Sequence, residues 1–345
     1  MLIFKRFILR CCRSVRGPGW VLLASAAATA MGQPAEPIRP PADFPMIPAA
    51  WRQTDPRVLE TAHFRILFDT PESQAEDVGR VLEVTLEAAK RFARELALPL
   101  REPQEKLQVV LLDRVDDFRE VLKRVGRAAD SVAGLYLPDV NVSVLCRLDH
   151  FPEIEAIDRE LRRLEGGLDR TQLDSFRSQR EALVRRMQQT VVAHEAAHQV
   201  LFNIGIFERD VDPPFWLVEG TACVLETAFP AQPTEPMPIN ELRLADLGDD
   251  PGALEELRGL VGGATESNEA SAARRYALAY ALVDFLYRRR PSELGRFLER
   301  RSEPAEGAAG RIEEFERAFG PLDEAFARAW RDHRPAGGST PPHSR

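Results

Sequence analysis

Five consecutive residues, His194, Glu195, Ala196, Ala197 and His198, concentrate the chemistry of this 345-residue chain. Their neighbours Val191, Val192, Val200 and Leu201 are apolar, and residues 190–201 contain no Gly or Pro, so the segment predicts a buried helix. On that helix His194 and His198 stand one turn apart on one face, close enough for two imidazole nitrogens to share an ion. Glu195 follows the first histidine directly and falls beside the ion rather than on it, where a carboxylate can take a proton from water.

Two histidines do not complete a catalytic metal site; a third protein ligand is needed. Residues 215–226, FWLVEGTACVLE, predict a second apolar helix beginning just after Pro213 and Pro214. Glu219 on that helix, with twenty residues between it and His198, is the candidate ligand. Two histidines and one carboxylate leave one tetrahedral position open for water, which a catalytic zinc site requires and a structural one lacks. A third histidine six residues after His198 is excluded, because Ile204 stands there and Leu201 replaces the glycine of that pattern. Cys223 and Glu226 follow on the same helix. Cys223 is read as a small buried residue, since a thiolate would close the site. Glu226 is either a carboxylate that orients a ligand histidine or, the plainer reading, a partly solvated helix residue.

His194-Glu195-Ala196-Ala197-His198 together with Trp216-Leu217-Val218-Glu219-Gly220-Thr221-Ala222 resembles the gluzincin clan, the thermolysin-like zinc metallopeptidases. The resemblance implies Zn²⁺ held by His194, His198 and Glu219, with Glu195 as the catalytic general base. It implies a zincin-like, two-lobed α+β fold: a small mixed sheet, the H-E-x-x-H helix and a mostly helical C-terminal lobe. It also implies a Tyr or His from that later lobe at the carbonyl oxygen of the substrate. Tyr276 is the better match and Tyr280 the second, with an ordinary core tyrosine as the alternative. The order of elements over residues 60–332, with residues 276–286 and the ending Phe315-Glu316-Arg317-Ala318-Phe319-Gly320, looks like the bacterial domain-of-unknown-function family 1570.

Positioning these residues falls to residues 57–332. His63-Phe64-Arg65-Ile66-Leu67-Phe68 alternates Phe64, Ile66 and Phe68 and predicts a strand. Thr70-Pro71-Glu72 supplies a cap, a first-turn proline and an early acid for a helix whose buried face is Val78, Leu82, Thr85, Ala89, Phe92 and Leu96. Residues 107–112, LQVVLL, predict a buried strand, and residues 116–125 a short helix. Residues 133–137 and 140–146, joined by Pro138-Asp139, read as a hairpin with Val140, Val142 and Val144 on one side. In gluzincins a strand at this position lines the cleft and pairs with the extended substrate; an ordinary sheet strand is the alternative. Residues 153–189 carry two apolar stripes broken at Gly166-Gly167 and predict an antiparallel helical hairpin inserted before the metal helix, its second arm running into that helix. After a Pro- and acid-rich crossing over 230–260, helices are expected at 274–286, 292–300, 311–319 and 321–333, and residues 333–345 read as a disordered tail.

Residues 1–30 read as a cleaved secretory signal: Lys5, Arg6, Arg10, Arg13 and Arg16, no acid, an uncharged run over 20–30 and an Ala28-Thr29-Ala30 end. Export to a periplasmic, cell-envelope or extracellular location is therefore expected, with no membrane span after cleavage. Residues 31–56 form a Pro-rich lead-in. Cleavage lowers Lys and Arg from 46 to 41 against 54 Asp and Glu, moving the net charge from −8 to −13. So acidic a chain excludes nucleic-acid binding through a general basic surface. Cys11 and Cys12 leave with the signal; Cys146 and Cys223 remain as buried residues, or as one bridge in an oxidising compartment. His63 and His150 are read as surface or capping residues, and His333 and His343 as tail residues without a role. The expectation is an exported zinc peptidase acting on peptide or protein substrates, by default an endopeptidase, because no Gly-x-Met-Glu-Asn segment precedes the metal helix. The alternatives are a catalytically silent exported binding protein on the same fold and a structural zinc module.

Overall fold

The computed structural model describes residues 56–127, 133–209, 211–229, 237–247, 252–264, 269–300 and 305–333. The expected signal, most of the lead-in, the tail after His333 and parts of the 230–260 crossing lie outside the described residues. What is described is α+β: one five-stranded mixed sheet followed by a mostly helical remainder.

The sheet runs β1 (Arg57–Glu60), β2 (Phe64–Phe68), β3 (Leu107–Leu112), β5 (Val142–Cys146), β4 (Gly134–Leu137). β2, β3 and β5 are parallel, while β1 and β4 close the two edges antiparallel. β2 is buried on alternate residues, whereas β5 is buried throughout, as a strand covered on both faces requires. α1 (Glu72–Glu95) crosses from β2 to β3 and buries the expected apolar stripe. α2 (Val115–Arg124) follows β3. Three local expectations need correction. β1 was not expected; its residues are only partly buried and carry no strong alternation. Thr70 does not cap α1, because Pro71 occupies the N-cap position and no side chain caps it. Val140 does not share the face of Val142 and Val144; it lies in the hairpin turn and is 40% exposed.

The helical hairpin before the His194–His198 segment forms as expected. α3 (Pro152–Leu164) leads through a 3-10 turn containing Gly166 and Gly167 to α4 (Arg170–Asn203), an unbroken helix of 34 residues. A capping box between Asp169 and Gln172 starts α4, and no Gly or Pro interrupts it. Arg180 fixes the arm: it forks onto Asp158 of α3, both bonds 2.9 Å, and reaches Asp149 at 2.9 Å. Arg147 ties Asp149 on to Asp113 at the end of β3. The first half of α4 is largely exposed and the second half buried.

That buried half is pinned to the β4–β5 hairpin by side-chain amides. Gln199 donates to the carbonyls of Gln108 and Asn141 and accepts from the Ser143 hydroxyl. Asn203 and Asn141 exchange two hydrogen bonds of 2.8 and 3.0 Å. Asn141 takes the left-handed conformation that Asn tolerates better than most residues, with φ +53°.

α5 (Phe215–Leu225) lies on α4 and against α8 (Glu269–Arg289), and α6 (Glu241–Leu247), α7 (Leu254–Gly262), α9 (Pro291–Glu299), α10 (Gly307–Phe319) and α11 (Glu324–Asp332) complete the helical part. His333 is not a tail residue: Nε2 stands 3.2 Å from Asp284 and the ring packs on Phe285. Cys146 and Cys223 are buried and unbridged. Among the described residues no helix is long and apolar enough to cross a membrane.

Gly220 sets the closeness of α5 and α8. A Cβ there would stand 2.4 Å from the Ala279 carbonyl oxygen and 2.5 Å from Val283. Backbone cannot yield as a side chain can, so Gly220→Ala is expected to cost about 1–3 kcal/mol or more. A thermal melt should fall by several degrees while the sheet's circular-dichroism signal persists before the transition.

Candidate metal centre

α4 carries His194, Glu195 and His198 on two successive turns, and α5 brings Glu219 across from the neighbouring helix. The Nε2 atoms of His194 and His198 are 3.1 Å apart, and Glu219 Oε2 lies 3.2 Å from the first and 3.4 Å from the second. A metal with bonds of about 2.0–2.1 Å in tetrahedral geometry holds its ligand atoms about 3.3 Å apart. The three edges match that figure, and two nitrogen lone pairs and one carboxylate oxygen form a donor set for a divalent ion. Charge leads to the same place. Among the described residues Glu195, Glu219 and Glu226 are buried with one guanidinium, that of Arg243. Burial pulls the His194 pKa down, but Cys223, Glu219 and Glu226 hold it well above the ordinary value. A proton there offsets part of the negative charge, and a dication that displaced it would balance the carboxylates.

Behind His194 the plainer reading of Glu226 fails. Its side chain is 2% exposed, and Oε1 lies 2.7 Å from His194 Nδ1. Glu226 also accepts from Asn240 Nδ2 at 2.7 Å and from Arg243 Nε and Nη2 at 3.1 and 2.5 Å. With Nδ1–H donated to Glu226, the Nε2 lone pair of His194 is directed toward His198 and Glu219. Burial pushes the Glu226 carboxyl up, but the Arg243 charge and His194 outweigh it and hold the pKa down to about 2. Glu219 likewise is raised by burial and brought down to about 2 by His198 and His194. Cys223 lies within ligand distance of His194 and Glu226. Burial pushes its thiol up to about 11, and the facing Glu226 carboxylate is already engaged by Arg243 and by His194 Nδ1.

Glu195 faces the sheet edge. Its Oε2 accepts the main-chain N–H of Tyr136 on β4 at 2.8 Å. Burial, with the Glu219 charge adding, raises its pKa despite the nearby histidines and the Tyr136 N–H. The contact depends on Gly134, where a Cβ would stand 2.6 Å from Glu195 Cγ and 3.0 Å from Val191.

The two tyrosines separate clearly. Tyr280 accepts the Asn240 main-chain N–H through its hydroxyl at 2.7 Å and is committed to the fold. Tyr276 packs 6.1 Å from the His194 ring, under the Arg243 guanidinium at 5.4 Å, and among the described residues its buried hydroxyl has no hydrogen-bond partner. Burial, then the Glu219 charge, keeps that phenol well above its ordinary pKa and therefore protonated. The whole cluster is enclosed: His194, Glu195, His198, Glu219 and Tyr276 are each 4% exposed or less.

Sequence reasoning brought together His194, Glu195, His198, Glu219 and Tyr276. It missed Gly134, Tyr136, Asn240 and Arg243. Tyr136 acts through its main chain, which no side-chain pattern records. Asn240 and Arg243 stand just before and on α6, a different element from Glu226, so no helical spacing links them.

The Glu226 contact yields a direct expectation. Glu226→Gln keeps a hydrogen-bonding shape but removes the charge behind His194, and should weaken metal binding about 10- to 100-fold. Competition against a chromophoric chelator measures this, and unchanged affinity would show that Glu226 only packs.

Residues 188–306 match the model of a family described as a protein of unknown function (DUF1570). That span is narrower than the expected 60–332. It contains His194, Glu195, His198, Glu219, Glu226, Asn240, Arg243 and Tyr276, and leaves out the sheet and almost all of the α3–α4 arm. No curated protein gives a significant match.

Proposed function

We propose that this chain is an exported zinc-dependent peptidase of gluzincin type on a zincin-like fold, acting as an endopeptidase on peptide or protein substrates. The observation that carries the reading is the triangle of His194 Nε2, His198 Nε2 and Glu219 Oε2 with the Glu195 carboxylate beside it.

His194, His198 and Glu219 would hold the ion. When bound, zinc supplies Lewis acidity that polarises the scissile carbonyl and makes water easier to deprotonate. Glu195 is suited to receive that proton: burial raises its pKa, and the Tyr136 N–H steadies one oxygen while leaving the other for water. The same carboxyl then returns the proton to the departing amine. Tyr276 holds a phenolic proton with no competing acceptor and would donate it as a hydrogen bond to the oxygen that gains charge. The Tyr136 N–H is held by Glu195, but the Tyr136 carbonyl and the Gly134 main-chain groups point outward from the edge strand β4, where an extended polypeptide can add as a further strand.

The enclosure of the cluster favours a second reading, a catalytically silent exported binding protein, because a polypeptide reaches these groups only if covering side chains move. Cleavage of casein and of a quenched peptide library separates the two. The peptidase reading expects chelator-sensitive cleavage restored by zinc. Glu195→Gln should retain one zinc per chain and lose about 10²- to 10⁴-fold in kcat, and Tyr276→Phe should lose about 10²- to 10³-fold. A protein that binds zinc and cleaves nothing, or a Glu195→Gln variant as active as wild type, would sink the mechanism.

A further inference from the structure

Arg209 lies in the link between α4 and α5 and is half-buried. Among the described residues its buried Nε has no hydrogen-bond partner, and its Nη2 makes one long contact, 3.4 Å, with the Tyr136 hydroxyl. Its neighbour Glu208 is turned to Arg101 at 3.1 Å, and among the described residues no carboxylate pairs with Arg209. Asp139 is a charge felt by the same Tyr136 hydroxyl but is not bonded to Arg209, so among the described residues this half-buried guanidinium keeps its fork available to an anionic partner.

Its place supplies the partner. Tyr136 directs its main-chain N–H away from β5 to Glu195, and in an antiparallel ladder a residue's N–H and C=O point to the same side. The Tyr136 ring runs beside α4 to Phe202, with centroids 5.8 Å apart, and its hydroxyl meets Arg209. One residue thus touches the candidate base with its backbone and Arg209 with its side chain. In a polypeptide added along β4, side chains on one face recur about every 7 Å. A side chain one or two residues from the bond beside Glu195 would therefore come within reach of Arg209.

We propose that Arg209 recognises a carboxylate of the bound polypeptide close to the cleaved bond, making this a site for acidic segments. The proposal rests on the peptidase reading for its geometry. The carboxylate is borne by an Asp or Glu side chain or by the chain's own C-terminus, and a guanidinium fork suits either.

The test uses the zinc-loaded full-length chain and quenched peptides that carry Glu or Gln at each position within three residues of the cleaved bond, each made with a free or an amidated C-terminus. At one position the Glu peptide, or at the terminus the free acid, should be favoured about tenfold or more in kcat/KM. Arg209→Met should bring that ratio close to one, and Arg209→Lys should keep part of it. A parallel arm measures binding of the same peptides by fluorescence anisotropy to Glu195→Gln and to Glu195→Gln with Arg209→Met, which needs no turnover. If nothing is cleaved, the peptidase reading fails and the binding ratio still decides the role of Arg209. The wild-type comparison of Glu with Gln needs no variant, and melting curves, with Arg209→Gln as a second neutral change, separate misfolding from lost recognition. Equal handling of Glu and Gln and of acid and amide in both arms, or a preference that survives in folded Arg209→Met, overturns the proposal.

Discussion

One buried imidazole stands between two carboxylates. Glu219 approaches Nε2 of His194 and Glu226 approaches Nδ1, all three nearly inaccessible to water. Charged groups withdrawn from solvent in this way are tolerated only when each finds a partner. Arg243 and Asn240 satisfy Glu226 from the crossing, and the packing of α5 between α4 and α8 keeps Glu219 in place. The helical part of the chain can be understood as the enclosure this arrangement needs. Gly220, next to Glu219, lets α8 approach closely enough to bring Tyr276 over the histidines.

The sheet serves a different residue. Glu195 reaches the antiparallel edge strand, and the hairpin that carries this strand is held at a fixed height on α4 by Gln199, Asn203, Ser143 and Asn141. Every one of these bonds joins side-chain amides, a hydroxyl or main-chain carbonyls, so the attachment carries no net charge and does not disturb the excess negative charge around the histidines. Burial raises the Glu195 pKa, whereas Glu219 and Glu226 are held as anions by their cationic and imidazole neighbours. Three carboxylates within one small volume are thereby set apart by what each touches.

Much of this was legible in the chain because helices record their faces in local spacing. His194 and His198 sit one turn apart with Glu195 between them, Glu219 sits in an apolar helix announced by Pro213 and Pro214, and the α3–α4 arm shows its stripes on either side of Gly166-Gly167. β2, β3 and β5 were equally visible as alternating or continuous apolar runs. What escaped depends on contacts between distant segments or on the main chain. β1 is a short, half-exposed edge with little pattern. Glu226 looked like a solvated helix residue because nothing in its own helix reveals Arg243. Val140 continued an alternation that the left-handed Asn141 breaks. Tyr276 and Tyr280 could not be separated by spacing, since both lie on the buried side of α8; only their hydroxyl partners differ.

The continuity of α4 ties two distant features to one rotational phase. At about 1.5 Å per residue its 34 residues span roughly 50 Å, and each residue turns the helix by about 100°. Arg180 must face Asp158 and Asp149 while, fourteen residues later, His194 must face Glu219 and Glu226. Loss or gain of a single residue between them would swing the clamp away from its acids or the histidines away from theirs, and a change of seven, which restores the phase, would still move the clamp about 10 Å along the axis from Asp149, which Arg147 ties to Asp113. The length of this part of the helix is thus fixed in both phase and height, although the exposed surface of the arm is free to change residue by residue.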